Sequence, residues 1–239
     1  MPDTRSHRGP HPEDARLFAP QSQPSLIQAT ADLCWLLSRG YAGPSSLKLV
    51  GDRYALAARQ RVAVARCACS DADLARRSAH RVAGEALRGE SLWLDGYNVL
   101  TTVEAALAGG VILAARDGAY RDMASMHGSY RKVAETRPAL MLIGRVLAEL
   151  EVGVCRWYFD RPVSNSGRLK QVLEDVAATA GWRWDVELVA DPDPILSGVE
   201  GIVATADSAI LNECRAWFNL ARETIVGRLA EAVVVRLTE

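Results

Sequence analysis

An aspartate and an asparagine lie at the end of a short apolar run near the middle of the chain. Residues 92–94 are Leu-Trp-Leu, Asp95 follows directly, Gly96 comes next, and Asn98 lies three residues beyond the acid. An apolar run of this length that stops at a glycine is typical of a buried strand. The sequence therefore places a carboxylate and an amide at the end of a strand, where open α/β sheets bind their ligands.

Four further aspartates follow apolar runs in the same manner. The runs and their acids are 91–94 with Asp95, 111–115 with Asp117, 152–159 with Asp160, 186–190 with Asp191, and 201–204 with Asp207. The carboxyl ends of parallel strands meet at one edge of a sheet, and a single aspartate there is commonly a helix N-cap. Five exceed that need, because clustered carboxylates repel one another. Oxygen ligands without nearby His or Cys predict a site for Mg²⁺ or Mn²⁺.

The expected strand order selects among these acids. In a flavodoxin-like sheet of order 3-2-1-4-5, the ligand crevice opens beside strand 1, and the run that precedes Asp117 lies further out. The metal ligands are therefore expected to be Asp95, Asp160, Asp207 and Asp193. Asp193 belongs to an Ala-Asp-Pro-Asp-Pro turn whose prolines fix the backbone, so a purely structural role for this turn stays open.

The chain divides into three parts by composition and periodicity. Residues 1–24 contain five prolines among polar residues, which predicts a disordered tail. Residues 25–89 have apolar residues at helical spacing, broken by Gly and Pro, and are expected to form a small all-α module. Residues 90–239 alternate apolar runs with helical segments, which predicts an α/β domain with a parallel sheet flanked by helices.

Charge and cysteine content restrict the classes of function. The chain has 28 Lys and Arg against 29 Asp and Glu, but residues 1–90 hold 13 basic and 9 acidic residues. The helical module is thus mildly basic, which suits either a bound polyanion or an ordinary solvated surface. Five cysteines without metal-ligand spacing indicate reduced thiols in a cytoplasmic protein. No apolar run approaches the roughly 18 residues of a membrane span, so no membrane association is expected.

Several of these residues resemble known families. Residues 94–99, Leu-Asp-Gly-Tyr-Asn-Val, resemble the first-strand motif of the NYN branch of PIN-like nucleases. Residues 203–208, Val-Ala-Thr-Ala-Asp-Ser, resemble a later Thr/Ser-x-Asp motif of those proteins, and Phe159-Asp160 matches a third acidic position. The resemblance covers roughly residues 90–220 and implies a PIN-like fold with a metal-dependent ribonuclease site. The helical module resembles the domain-of-unknown-function 434 family, which implies no activity.

The expected function is therefore metal-dependent hydrolysis of phosphodiester bonds in RNA. Asp95, Asp160 and Asp207 would hold Mg²⁺ or Mn²⁺, and Asn98 would orient a carboxylate, a water or a phosphate oxygen. Expected contacts to the nucleic acid come from Ser208, Arg121 and Arg161, and from Arg59, Arg61 and Arg66 of the helical module.

Two departures from the nuclease pattern keep other functions open. The expected middle helix has no clear glutamate, and residues 116–130 form a polar and aromatic stretch with His127 as a candidate general acid. The alternative is a catalytically inactive PIN-like module that binds RNA or a protein, and a homodimer stays open. A phosphatase of the Asp-x-Asp type is discounted because Tyr97 occupies the place of the second acid. The absence of a Gly-rich phosphate loop argues against a P-loop NTPase.

Overall fold

The computed structural model describes residues 9–123, 130 and 133–238. The strands are β1 (Leu92–Asp95), β2 (Ile112–Ala114), β3 (Tyr120–Asp122), β4 (Cys155–Asp160), β5 (Trp184–Val189), β6 (Ile202–Ala204), β7 (Ala216–Phe218) and β8 (Val234–Arg236). The helices are α1 (Asp14–Leu17), α2 (Gln23–Ser38), α3 (Gly43–Arg53), α4 (Ala58–Cys67), α5 (Asp71–His80), α6 (Gly96–Leu107), α7 (Thr136–Glu149), α8 (Ser166–Ala180), α9 (Asp193–Gly198), α10 (Ser208–Glu213) and α11 (Leu220–Arg228). Two 3-10 helices, Pro20–Ser22 and Gly84–Leu87, complete the described elements.

Five strands form a parallel sheet in the order β5-β4-β1-β6-β7. Counted along the chain, this is the order 3-2-1-4-5, with β1 at the centre. The register pairs Leu92 of β1 with Cys155 of β4 on one side and with Ile202 of β6 on the other. Because every pairing is parallel, the carboxyl ends of β1, β4 and β6 meet at one edge. The predicted α/β class, with helices flanking a parallel sheet and an N-terminal helical region, is confirmed.

Helices cover both faces of this sheet because its central strands are apolar on both sides. Leu94 of β1 is fully buried and shares a core with Trp157 of β4 and with α6, α7 and α8. On the opposite face, α9 and α10 pack on Val203 of β6 and Trp217 of β7. The edge that carries the carboxyl ends is therefore held between two apolar layers.

Gly96 allows α6 to approach β4 closely. A methyl group on this residue would lie 2.4 Å from a ring carbon of Phe159, a distance that side chains cannot adopt without displacement. Phe159 is fully buried, so it has little room to move. Gly96 begins α6 directly, and its contribution is space for the Phe159 ring.

The second apolar run does not enter the main sheet. It forms β2, which pairs antiparallel with β3 and parallel with β8 in a separate three-stranded sheet. The turn between β2 and β3 is closed by a hydrogen bond from the Ala115 amide to the Ala119 carbonyl, and Gly118 has φ +81°. A left-handed residue of this kind favours glycine. A local hairpin thus takes the strand that could otherwise have extended the main sheet.

The small sheet and the helical module share one core. Val111, Leu113 and Val235 pack in a single buried cluster with residues of α2 and α4, including Leu26 and Val64. The helical module therefore packs directly on the segment that connects α6 to α7. Within the described residues, no helix is both long enough and apolar enough to cross a membrane.

The structure differs from the sequence prediction over the first residues. A disordered tail was expected for residues 1–24, but residues 9–24 include α1 and a 3-10 helix. Leu17 and Phe18 are buried in the helical core, and the buried carboxylate of Asp14 accepts two hydrogen bonds from Arg59 at 2.5 and 2.9 Å. Two apolar residues and one ion pair order the segment, and average composition does not detect them.

This ion pair leads to a prediction for stability. Arg59→Ala would leave the Asp14 carboxylate buried without its partner, and we expect a loss of roughly 3 kcal/mol in the free energy of unfolding. Arg53→Ala breaks an exposed pair with Asp32 at 3.6 Å and is the matched control, with an expected loss below about 1 kcal/mol. Urea denaturation measures both, and equal losses would show that Arg59 does not anchor the segment.

Candidate active site

A cleft of about 460 Å³ opens at the carboxyl ends of β1 and β6. The chain reaches β6 by crossing from β5 on the far side of β1, so the cleft lies where the direction of strand progression reverses. Open α/β sheets bind their ligands at such a switch point. Six residues expected from the sequence to bind metal or nucleic acid line this cleft, namely Arg66, Asp95, Asn98, Arg121, Asp207 and Ser208.

Asp95 is the last residue of β1 and the N-cap of α6. One carboxylate oxygen accepts from the Asn98 amide at 3.4 Å and the other accepts from the Thr205 hydroxyl at 2.7 Å. Removal of this half-buried carboxyl from water raises its pKa to about 7, and the charges of Asp207 and Asp193 act in the same direction. The two hydrogen bonds lower the pKa but do not outweigh burial.

Asp207 lies opposite, in the short loop between β6 and α10. Its Oδ1 accepts from the amides of Ala209 and Ile210 at 2.7 and 3.2 Å, so Asp207 is a true helix N-cap. Its own amide donates to the Thr205 hydroxyl oxygen at 2.9 Å. Thr205 therefore links the carboxylate of Asp95 to the backbone of Asp207. No described residue donates to the second carboxylate oxygen of Asp207, which leaves that oxygen for a ligand.

Asp160 and Asp193 extend this acidic edge. Burial raises the pKa of Asp160, and the charge of Asp191 adds to the shift. Burial also raises the pKa of Asp193, followed by the charges of Asp207, Asp191 and Asp160. These carboxylates thus lie close enough to oppose one another's ionisation, and none of them forms an ion pair with a described Lys or Arg.

The described acids do not form a complete metal-binding site by themselves. No three His, Cys, Asp or Glu side chains among the described residues lie close enough to hold one metal ion together. Mg²⁺ usually keeps several waters and takes one or two carboxylates plus substrate phosphate. The oxygen-only groups of Asp95 and Asp207 meet that lower requirement.

Asp117 has a different environment, although it also follows a strand. Its buried carboxylate accepts from Arg77 at 2.7 Å and from Arg121 at 2.7 and 3.0 Å. Burial alone would raise its pKa, but the charges and hydrogen bonds of Arg121 and Arg77 outweigh burial and lower the pKa to about 2. Asp117 is therefore the carboxylate of a buried ion-pair network and not a ligand of the cleft.

Arg121 differs from its expected role as a nucleic-acid contact. Beyond Asp117, it donates to the Ala206 carbonyl at 2.8 Å and to the Ser208 hydroxyl at 3.4 Å. Because its donors are committed to protein acceptors and it is 9% exposed, it supports the β6–α10 loop. Ser208 remains at the exposed rim of the cleft.

Of the other arginines expected to contact RNA, Arg66 lines the cleft and pairs with Asp122 at 3.5 Å. Arg59, Arg61 and Arg161 lie outside the lining. Arg59 binds Asp14, as described above. Arg61 donates to the carbonyls of Leu56 and Lys48 and pairs with Asp52 at 2.8 Å, so it joins α3 to α4. Arg161 is exposed and donates to the Leu188 carbonyl at 2.8 Å. The candidate general acid His127 lies outside the described residues.

Two residues beside the acids at the ends of β1 and β6, Thr205 and Tyr97, were not assigned a role from the sequence. Thr205 lies in the quoted Thr-x-Asp motif, and the pairing of β6 with β1 brings it beside Asp95. Tyr97 is only 5% exposed, and its hydroxyl has no hydrogen-bond partner among the described residues. Its ring meets Phe159 edge-on at 4.9 Å. Burial raises the pKa of Tyr97, and the negative charge of Asp160 adds to the shift.

Comparisons with known proteins match two family models to the chain. One, described as "Domain of unknown function (DUF5616)", matches residues 84–223, and one described as "Protein of unknown function (DUF434)" matches residues 25–80. An uncharacterized protein of Methanocaldococcus jannaschii is 29% identical over 189 residues, which cover 78% of this chain and 89% of that protein. No solved structure matches. The resemblance of the helical module to DUF434 is confirmed, whereas the nuclease resemblance stays a prediction.

The raised pKa of Asp95 predicts a pH-dependent stability. A carboxyl whose folded pKa lies above its ordinary value of 3.8 stabilises the fold when protonated, so that contribution is complete below about pH 4 and is lost as the pH rises to about 7. Asn keeps the N-cap and carries no charge. Without divalent ions at pH 8, the free energy of unfolding of Asp95→Asn is expected to exceed that of wild type by on the order of 1–3 kcal/mol.

Urea denaturation at pH 4 and pH 8 in the presence of a chelator measures this difference. The gain should shrink towards pH 4, because wild-type Asp95 is then protonated. A gain of equal size at both pH values would contradict the ionisation argument.

Because the hydroxyl of Tyr97 has no partner among the described residues and that of Tyr130 has two, replacing each by Phe should change stability in opposite directions. Tyr97→Phe removes a buried donor that has no acceptor, so the free energy of unfolding should rise by about 1 kcal/mol. Tyr130→Phe is the control, because the Tyr130 hydroxyl bonds Glu104 at 2.6 Å and Thr136 at 2.9 Å and its loss should destabilise. Thermal unfolding compares the two, and a destabilised Tyr97→Phe protein would mean that its hydroxyl has a partner.

Proposed function

The chain belongs to the DUF5616 family, and we propose that it is a metal-dependent phosphodiesterase that hydrolyses RNA. The observation that carries the proposal is a pair of carboxylates, Asp95 and Asp207, on either side of the switch point of the sheet. The Thr205 hydroxyl donates to the Asp95 carboxylate and accepts from the backbone amide of Asp207. Asp160 and Asp193 add negative charge at the same edge. Neither Asp95 nor Asp207 is neutralised by a described basic side chain.

The donor set fits a hard divalent cation. The candidate ligand atoms are the carboxylate oxygens of Asp95, Asp207 and the nearby Asp160 and Asp193. Oxygen ligands suit Mg²⁺ and Mn²⁺. We propose that Asp95 and Asp207 hold the ion directly, and that Asp160 and Asp193 act through water. When bound, such an ion lowers the pKa of a coordinated water and neutralises charge on the phosphate.

The protein residues then orient the participants. Thr205 donates to Asp95 and so fixes the rotation of that carboxylate. The Asn98 Oδ1 atom accepts from the Ala206 amide at 2.8 Å, which determines that its Nδ2 group is the donor left for a phosphate oxygen or a water. Ser208, at the rim, has its hydroxyl proton available to a second phosphate oxygen because its oxygen accepts from Arg121. Fixed donors of this kind lower a barrier because they need no reorganisation during the reaction.

RNA is proposed as the substrate on two grounds. Residues 94–99 and 203–208 resemble the motifs of NYN nucleases, and residues 1–90 carry an excess of basic over acidic residues. A phosphodiester backbone supplies the anionic ligand that an oxygen-bound divalent cation requires.

A second candidate function is binding of RNA without catalysis. The observation that favours it is the lack of three gathered carboxylates among the described residues. This candidate predicts saturable, salt-sensitive binding of RNA with no turnover in Mg²⁺ or Mn²⁺.

Removal of the two central carboxylates tests the catalytic proposal. Asp95→Asn combined with Asp207→Asn keeps both N-caps but removes the charges that would hold the cation. We expect cleavage of single-stranded RNA in Mg²⁺ or Mn²⁺ to fall by about 100-fold or more. The assay follows a fluorescently labelled RNA under single-turnover conditions.

Asp185→Asn is the matched control, because this exposed carboxylate lies near the amino end of β5, at the opposite edge of the sheet. It should cleave as wild type does. If the double variant cleaves RNA as fast as wild type, the assignment of the site is wrong. If wild type binds RNA but never cleaves it, the binding function replaces the catalytic one.

A further inference from the structure

Two arginines hold the backbone on both sides of Asp207. Arg121 donates to the Ala206 carbonyl at 2.8 Å, and Arg77 donates to the Ser208 carbonyl at 3.2 Å. Both guanidinium groups also bond the carboxylate of Asp117. The residue before Asp207 and the residue after it are thus fixed by one shared network.

This network joins parts of the chain that are distant in sequence. Arg77 lies on α5, in the helical module, whereas Arg121 belongs to β3 and Asp117 to the turn that precedes it. The side chains of Arg77 and Asp117 are 3% and 1% exposed. The loop that carries Asp207 is therefore held by the helical module and the small sheet together.

All three nitrogen atoms of the Arg77 guanidinium group donate hydrogen bonds. Its Nε donates to Asn212 Oδ1 at 2.7 Å, its Nη1 to Asp117 at 2.7 Å, and its Nη2 to the Ser208 carbonyl. The Arg77 carbonyl accepts from the Trp217 indole at 2.7 Å, which fixes the helix on the sheet. A lysine has one nitrogen and no planar fork, so it cannot meet these three acceptors at once.

The network contains more basic than acidic groups. Two guanidinium groups share the single carboxylate of Asp117, so the buried network carries one positive charge in excess beneath the Asp207 loop. Burial of an incompletely neutralised network is costly. The hydrogen bonds that the two guanidinium groups donate to the Ala206 and Ser208 carbonyls offset part of this cost.

We infer that Arg77 is a positioning residue through which the helical module completes the site, by fixing the loop that presents Asp207. This inference rests on the proposed function for its catalytic consequence, but its structural part does not. It differs from the expectation that the module grips RNA, because Arg59 and Arg61 form ion pairs within the module and Arg66 pairs with Asp122 of β3. It also gives a physical reason for the two family matches to occur in one chain.

Arg77→Lys tests the inference in the full-length protein. The charge opposite Asp117 is kept, but the contact to the Ser208 carbonyl is lost. We expect kcat for RNA cleavage to fall by about 10- to 100-fold while KM changes less than about two-fold. Arg76→Lys is the control, because Arg76 is the adjacent residue on the same helix and is exposed, and its side chain makes one hydrogen bond among the described residues, to the Asn212 carbonyl at 3.2 Å. It should retain wild-type kcat.

A second measurement does not depend on activity. The amides of Ala209 and Ile210 donate to Asp207 Oδ1, so their hydrogen exchange reports whether the carboxylate is held. Arg77→Lys should lower their protection by about ten-fold while the amides of the central strand β1 stay protected. Arg76→Lys should leave both sets unchanged. If Arg77→Lys does not fold, the same two measurements are made on Asn212→Ala. This variant removes one of the three acceptors of Arg77 and is expected to show the same changes.

The outcomes separate this inference from the proposed function. If wild type neither binds Mg²⁺ nor cleaves RNA but exchange at Ala209 and Ile210 rises in Arg77→Lys, the catalytic proposal fails and the positioning role stands. If kcat and exchange in the folded variant both match wild type, Arg77 is a structural residue alone and the inference is overturned. A rise in KM with unchanged kcat would also overturn it, because that result indicates binding of substrate.

Discussion

The structure depends on a carboxylate that ends the central strand without a cation beside it. Asp95 is half-buried, and its pKa is raised to about 7, whereas the more deeply buried Asp117 has a pKa of about 2. The two residues follow strands of the same chain, and the difference comes from the two arginines that neutralise Asp117. A fold that can neutralise one aspartate so completely leaves the other without a counter-charge at a cost in stability. Such a cost is typical of sites where function requires an available charge.

The elements around Asp95 each contribute one part of its environment. Gly96 lets α6 approach Phe159, so the N-cap lies directly at the end of β1. Thr205 connects Asp95 to the loop of Asp207, and the network of Arg77 and Arg121 holds that loop from below. The helical module is therefore part of the support of the cleft and not a separate attachment. This arrangement unites the two family matches in one physical unit.

Much of the fold could be predicted from the sequence, because apolar runs separated by helical segments specify a parallel sheet. The same reasoning placed Asp95 and Asp207 together, since both follow strands that neighbour at the centre. It could not identify the separate small sheet, because the run at 111–115 is as apolar as the other runs. Its pairing with β3 and β8 depends on the tight turn at Gly118 and on segments outside the run. It also misjudged residues 9–24, where Leu17 and Phe18 find a core that exists only in three dimensions. Of the arginines chosen as nucleic-acid contacts, all but the exposed Arg161 form ion pairs within the protein. The sequence could not show this, because charge alone does not reveal whether a guanidinium has an internal acceptor.

The central claim is that Asp95 and Asp207 form an anionic site that binds a divalent cation. The most direct test is calorimetric titration of Mg²⁺ and of Mn²⁺ into wild type and into Asp95→Asn at pH 8, where Asp95 is ionised. The account predicts binding in the micromolar-to-millimolar range for wild type and its loss in the variant. Absence of binding in both proteins, or equal binding in both, would contradict it, since the aspartates would then serve as helix caps alone.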